Sequence, residues 1–79
     1  MQNIVQQYFK REFKDFIIIV QVNPVTYKGV ELTIHKDGKI DKRKLEFDED
    51  IFDDLKEDNF IPSSSLEFNL YLKGLAGGE

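Results

Sequence analysis

Cysteine is missing from this chain altogether. Disulfide staples, thiolate nucleophiles and thiolate metal ligands are excluded together, and the absence fits a reducing compartment, so a cytoplasmic location is the expectation. Histidine occurs once, as His35, which leaves no imidazole cluster to hold a metal. Long apolar runs are absent too. The longest, Phe16 to Val20, falls far short of the roughly 20 residues a membrane helix needs, so no membrane partner is expected. The opening Met1 to Gln7 has no basic segment followed by an apolar one, and a secretory signal is not expected in it. Positive charge is in deficit, with 11 Lys and Arg against 15 Asp and Glu. A net charge of −4 argues against nucleic-acid binding, which draws much of its affinity from cations placed on phosphates.

What is present is enough for one globular domain. The 79 residues are 41% hydrophobic and include seven Phe and three Tyr, which can fill a core without staples. A chain of this length buries about 60% of its unfolded surface, so that core is modest. Residues 1–73 read as a single α+β domain and residues 74–79 as a flexible tail.

Between residues 2 and 15, Ile4, Val5, Tyr8, Phe9, Phe13 and Phe16 share one half of a 3.6-residue wheel, opposite Gln6, Gln7, Lys10, Arg11 and Lys14. That spacing predicts an amphipathic helix. Phe16 to Val22 is a β-branched run, apolar on both of its alternating sides, which predicts a central strand covered on two faces. From Tyr27 to Phe47 a hairpin is expected around Asp37-Gly38, whose residues suit a two-residue type I′ turn. In that register Val30 faces Leu45, Leu32 faces Arg43 and Glu31 faces Lys44. Val30, Leu32, Ile34, Leu45 and Phe47 then share one side.

Asp48 is the expected N-cap of a short helix to about Asp58, with Glu49 and Asp50 in its first turn and Phe47 stapled to Phe52. Its apolar stripe is narrow: Ile51, Phe52 and Leu55. Leu66, Phe68, Leu70 and Leu72 alternate with polar residues, as in a half-buried strand. The predicted order is therefore α-β-β-β-α-β, a four-stranded mixed sheet in the order 4-1-2-3 packed with two helices. The helices either cover opposite faces, or share one while a second copy, as a homodimer, buries the other.

Charge is unevenly distributed. Glu46 to Ile61 holds eight acids against Lys56, whereas Gln21 to Leu45 holds six bases against three acids. The first block offers Asp50, Asp53, Asp54 and Glu57, and the second Lys39, Lys42 and Lys44, as candidate surfaces for a protein partner. The acids point around the helix rather than converging, so no metal or other cofactor is expected. Tyr27 is the one aromatic near the lysines, too few for a single-strand groove, and the lysines read first as protection of a terminal strand. Asp37-Gly38-Lys39-Ile40-Asp41 matches the centre of an EF-hand loop, but Lys44 stands where the bidentate Glu belongs. His35 lacks a visible orienting acid and pocket to act as base for Ser63, Ser64 or Ser65. A noncatalytic interaction module, not an enzyme, is the expectation.

The C-terminal Leu75-Ala76-Gly77-Gly78-Glu79 resembles the arm of ubiquitin-like and sulfur-carrier proteins, in which a strand leads into a terminal Gly-Gly. The resemblance implies an alternative, a carrier activated at Gly78 once Glu79 is removed, with Gly77 and Gly78 threading a narrow adenylating channel. The body departs from that family, because a β-grasp domain opens with a hairpin and not a helix.

Overall fold

The computed structural model describes residues 5–77. The elements are β1 (Gln7–Glu12), β2 (Phe16–Val22), β3 (Lys28–His35), β4 (Ile40–Glu46), α1 (Ile51–Glu57), β5 (Ile61–Pro62) and α2 (Ser65–Gly77). All strands pair antiparallel, in the order β4-β3-β2-β1-β5. The fold is a small α+β domain, as its sequence pattern indicates. Its sheet nevertheless has five strands instead of four and is antiparallel instead of mixed, with β1 to β4 forming a meander and β5 added beside β1 instead of the order 4-1-2-3.

The β-branched strand lies inside this sheet. On one side Val20 and Val22 pack with Ile51 and Leu55 of α1; on the other, Ile19 packs with Leu32 and with Phe68 of α2. Successive strand side chains point to opposite faces, so the two helices cover opposite sides of β2 within one chain. Each such side chain contributes about 1.5–3 kcal/mol when fully buried, which makes β2 the best-anchored strand.

Two elements differ in kind from the sequence pattern. The expected N-terminal helix is strand β1, paired to β2 from Gln7↔Val22 to Glu12↔Ile17; Ile4 lies outside the described residues. Tyr8 and Phe9 are adjacent because each enters a different cluster, on opposite faces of the sheet. Adjacent apolar residues fit a strand covered on both sides as well as they fit a helix stripe, and the unpaired edge of β2 decides between them.

The expected last strand is helix α2. Phe68, Tyr71 and Leu72 face the sheet at helical spacing, leaving Leu66 and Leu70 outward at 70% and 63% exposure. Ser64 starts the helix: its Oγ accepts the Glu67 N–H at 3.1 Å, and its carbonyl accepts the Phe68 N–H at 3.1 Å. The helix runs on through residues 74–77, the segment read from sequence as tail.

The β3–β4 hairpin is present, one residue out of the expected register. Leu32 faces Lys42, Glu31 faces Arg43 and Val30 faces Lys44. Gly38 alone takes positive φ, at 95°, and its N–H bonds the His35 carbonyl at 3.0 Å, while the His35 N–H bonds Lys39 O at 2.7 Å. This is a three-residue loop closed by a bulged glycine, because a type I′ turn needs positive φ at Asp37 also. The slip divides the expected apolar set: Val30 and Ile34 join the α2 side, Phe47 the α1 side.

Helix α1 begins two residues later than expected, with Asp50 at the N-cap. The Asp48 carboxylate instead accepts the Asp50 N–H at 3.0 Å, folding the approach to the helix. At the other end Asn59, with φ 64°, donates to Lys56 O at 3.1 Å and Phe60 to Leu55 O at 2.9 Å. These two bonds form a Schellman motif that turns Phe60 back into the core.

Candidate functional site

The lysine-rich segment forms β4, an outer strand of the sheet, and it leaves one backbone edge open among the described residues. Ladder bonds in an antiparallel pair recur at every second residue. The flanking bonds, His35 N–H to Lys39 O and Phe47 N–H to Tyr27 O, both 2.7 Å, fix them on the odd-numbered residues of β4. The N–H and C=O groups of Ile40, Lys42, Lys44 and Glu46 therefore point away from β3, along the free edge.

Side chains follow the same alternation. Lys42 and Lys44, opposite Leu32 and Val30, lie on the α2 side, and Arg43, opposite Glu31, lies on the α1 side. Arg43 reaches Glu31 at 3.6 Å. Among the described residues no carboxylate lies within 4 Å of Lys28, Lys36, Lys39, Lys42 or Lys44. The candidate cations Lys42 and Lys44 thus lie together on one face of the open edge, with Lys39 in the loop that precedes β4, and all three are exposed.

Beside that edge a shallow groove is lined by Lys28, Lys44, Glu46, Gln21, Asn23 and Thr26. Its wall is the β2–β3 loop. The Asn23 carboxamide oxygen accepts the N–H groups of Val25 at 2.8 Å and Thr26 at 3.1 Å. Tyr27 closes the loop at φ 60°, a left-handed conformation that costs a bulky residue about 1–3 kcal/mol. Its ring, 6.4 Å from that of Phe52, packs against the α1-side core and holds the turn in place.

The acidic candidates stand apart from this edge. Asp50 stands at the N-cap position of α1 without a side-chain cap bond, while Asp53, Asp54 and Glu57 are exposed around the helix. No group of three or more metal-ligating side chains occurs among the described residues. His35 Nε2 lies 2.7 Å from Asp41 Oδ2, an orienting carboxylate that sequence reading did not supply. The pair is on the α1 side, whereas the Ser63 and Ser64 oxygens engage Glu67 at the start of α2, so the structure does not bring histidine and serine together. Gly77 belongs to α2, where a carrier arm would follow a strand, and Gly78 lies outside the described residues.

One charged cluster was not foreseen. Lys10, only 18% exposed, reaches from β1 to Glu67 at 2.9 Å, and the Ser63 hydroxyl donates to the other Glu67 oxygen at 2.6 Å. The Ser63 hydroxyl first, and Lys10 second, hold the Glu67 carboxyl below its usual range, while the bond to Glu67 raises Lys10. The cluster fastens α2 to the sheet. Ser64-x-x-Glu67, the spacing of a capping box, was its sequence signal.

No protein-family model, curated protein sequence or solved structure matches this chain. No helix among the described residues is long and apolar enough to cross a membrane.

Proposed function

We propose that this chain is a small noncatalytic interaction domain that meets a protein partner along the open, lysine-rich edge of β4. The observation that carries this reading is the coincidence on one strand of backbone groups and lysines that have no partner among the described residues. Lysines on an outer strand discourage indiscriminate strand pairing, and the same charges favour an acidic partner by steering its approach. A serine hydroxyl far from the His35–Asp41 pair is in keeping with a noncatalytic role, and the cysteine-free composition with a cytoplasmic setting.

The test compares native copurification by the wild-type chain and by a Lys42→Glu/Lys44→Glu variant whose circular dichroism is unchanged. A partner retained by the wild type, released by salt and lost in the variant is the expected result. Identical sets of retained proteins from both chains would overturn the reading.

A further inference from the structure

We infer that the occupant of this edge is an acidic, extended peptide segment that adds to β4 as an antiparallel sixth strand; the inference rests on the interaction reading above. Four residues of β4, Ile40, Lys42, Lys44 and Glu46, present donors and acceptors at strand spacing along an edge with no partner among the described residues. A peptide backbone matches that row group for group, and main-chain bonding of this kind is a recurrent mode of peptide capture. A nucleic acid offers cations the same charge but no alternating row of amide donors and acceptors.

The side chains then define the segment. A residue directly opposite Lys42 or Lys44 lies on the same face of the sheet as that lysine, with its Cβ about 4.5–5.5 Å away. Carboxylates separated by one residue therefore satisfy both lysines, and the groove lined by Lys28 and Lys44 receives the acid opposite Lys44. Opposite Ile40 an apolar residue fits, and opposite Glu46 a neutral one. A second copy of this chain suits the edge less well. A two-fold pairing centred on Lys42, Arg43 or Lys44 places that cation against its own copy, and like charges directly opposite are destabilising.

The probe is the capped peptide Thr-Val-Glu-Thr-Glu-Thr-Val, whose glutamates fall opposite Lys44 and Lys42 when its first residue faces Glu46. Titration into the full chain at low ionic strength, followed by amide resonances, is expected to shift β4 and to slow exchange of the Lys42 and Lys44 N–H groups. Lys42→Glu/Lys44→Glu is expected to weaken binding by about tenfold or more, because two exposed ion pairs are lost and like charges then stand directly opposite. N-methylation of both glutamates removes their donors and is expected to weaken it at least as much.

Equal binding by the methylated peptide would overturn strand addition while leaving a basic docking surface intact. Failure of both peptides, with a salt-sensitive partner still lost in the lysine variant, would overturn the strand-like occupant alone. Protection of the Lys42 and Lys44 amides in the free chain, rising with its concentration, would assign the edge to a second copy instead.

Discussion

Lys10 and Glu67 stand 57 positions apart in sequence and 2.9 Å apart in the structure, and their contact joins β1 to the first turn of α2. Glu67→Gln is expected to cost about 1–2 kcal/mol near neutral pH, since it removes the charge from two part-buried hydrogen bonds. The lowered Glu67 pKa makes its contribution full above the ordinary glutamate value of 4.5, and that contribution fades as pH falls through the lower folded value. The raised Lys10 pKa makes its share full below 10.5, with loss only above that. Urea unfolding of both proteins should therefore show a gap at neutral pH that narrows in acid. A gap that stays constant through the acid limb would mean that ionised Glu67 is not its source.

Phe68 and Leu70 give a test of the helical phase of α2. A strand would place both on its buried side, whereas α2 buries Phe68 to 1% exposure and leaves Leu70 at 63%. Phe68→Ala is expected to cost about 3–5 kcal/mol and Leu70→Ala less than about 0.5 kcal/mol. Because Phe68→Ala could unfold so small a domain, Phe68→Leu provides a milder second measurement. Comparable losses at positions 68 and 70 would contradict the helix.

Sequence pattern revealed β2 because its apolar residues occupy both alternating positions and are β-branched over a short run, a combination that favours an interior strand. It revealed the hairpin through Asp37-Gly38 but not its register, which turned on a single dihedral: of the two turn residues only Gly38 adopts positive φ. It missed β1 and α2 for one shared reason. Each carries apolar residues at spacings that suit either period, and the choice rests on which segment pairs with the remaining edge of β2. Once β1 takes that edge, Leu66 to Leu72 has no place beside β2, and Ser64 with Glu67 caps it as a helix. The lysines of β4 were legible as the mark of a terminal strand. Which of its backbone groups face outward was not, because that parity follows from the register.

Gly29 and Gly38 should respond to alanine for different reasons. A Cβ on Gly29 would collide with the Gln21 carbonyl oxygen and lie 2.7 Å from Phe47 Cε2. Gly29→Ala is expected to cost about 1–3 kcal/mol through overpacking, and Phe47→Leu should not restore it, since the backbone contact remains. Gly38 has open space around it but φ at 95°. Its alanine variant pays only conformational strain, about 1–2 kcal/mol. Full rescue of Gly29→Ala by Phe47→Leu, read from thermal unfolding, would show that the close approach to Gln21 is not limiting.

Amide exchange tests the open edge without any ligand. Protection follows hydrogen bonding and the free energy of the opening that exposes it. The amides of Ile19, which faces β3, and of Val20 and Val22, which face β1, are bonded within the sheet and buried, and are expected to exchange slowest. Along β4 the pattern should alternate, with Asp41, Arg43 and Leu45 protected by β3, and Ile40, Lys42, Lys44 and Glu46 exchanging nearly as fast as an unfolded chain. A one-residue slip back to the register in which Val30 faces Leu45 would change which members of the β4 series bond to β3. The alternation therefore reports register and edge occupancy together: reversed parity would mean a different register, and uniform protection would mean that another strand already covers β4.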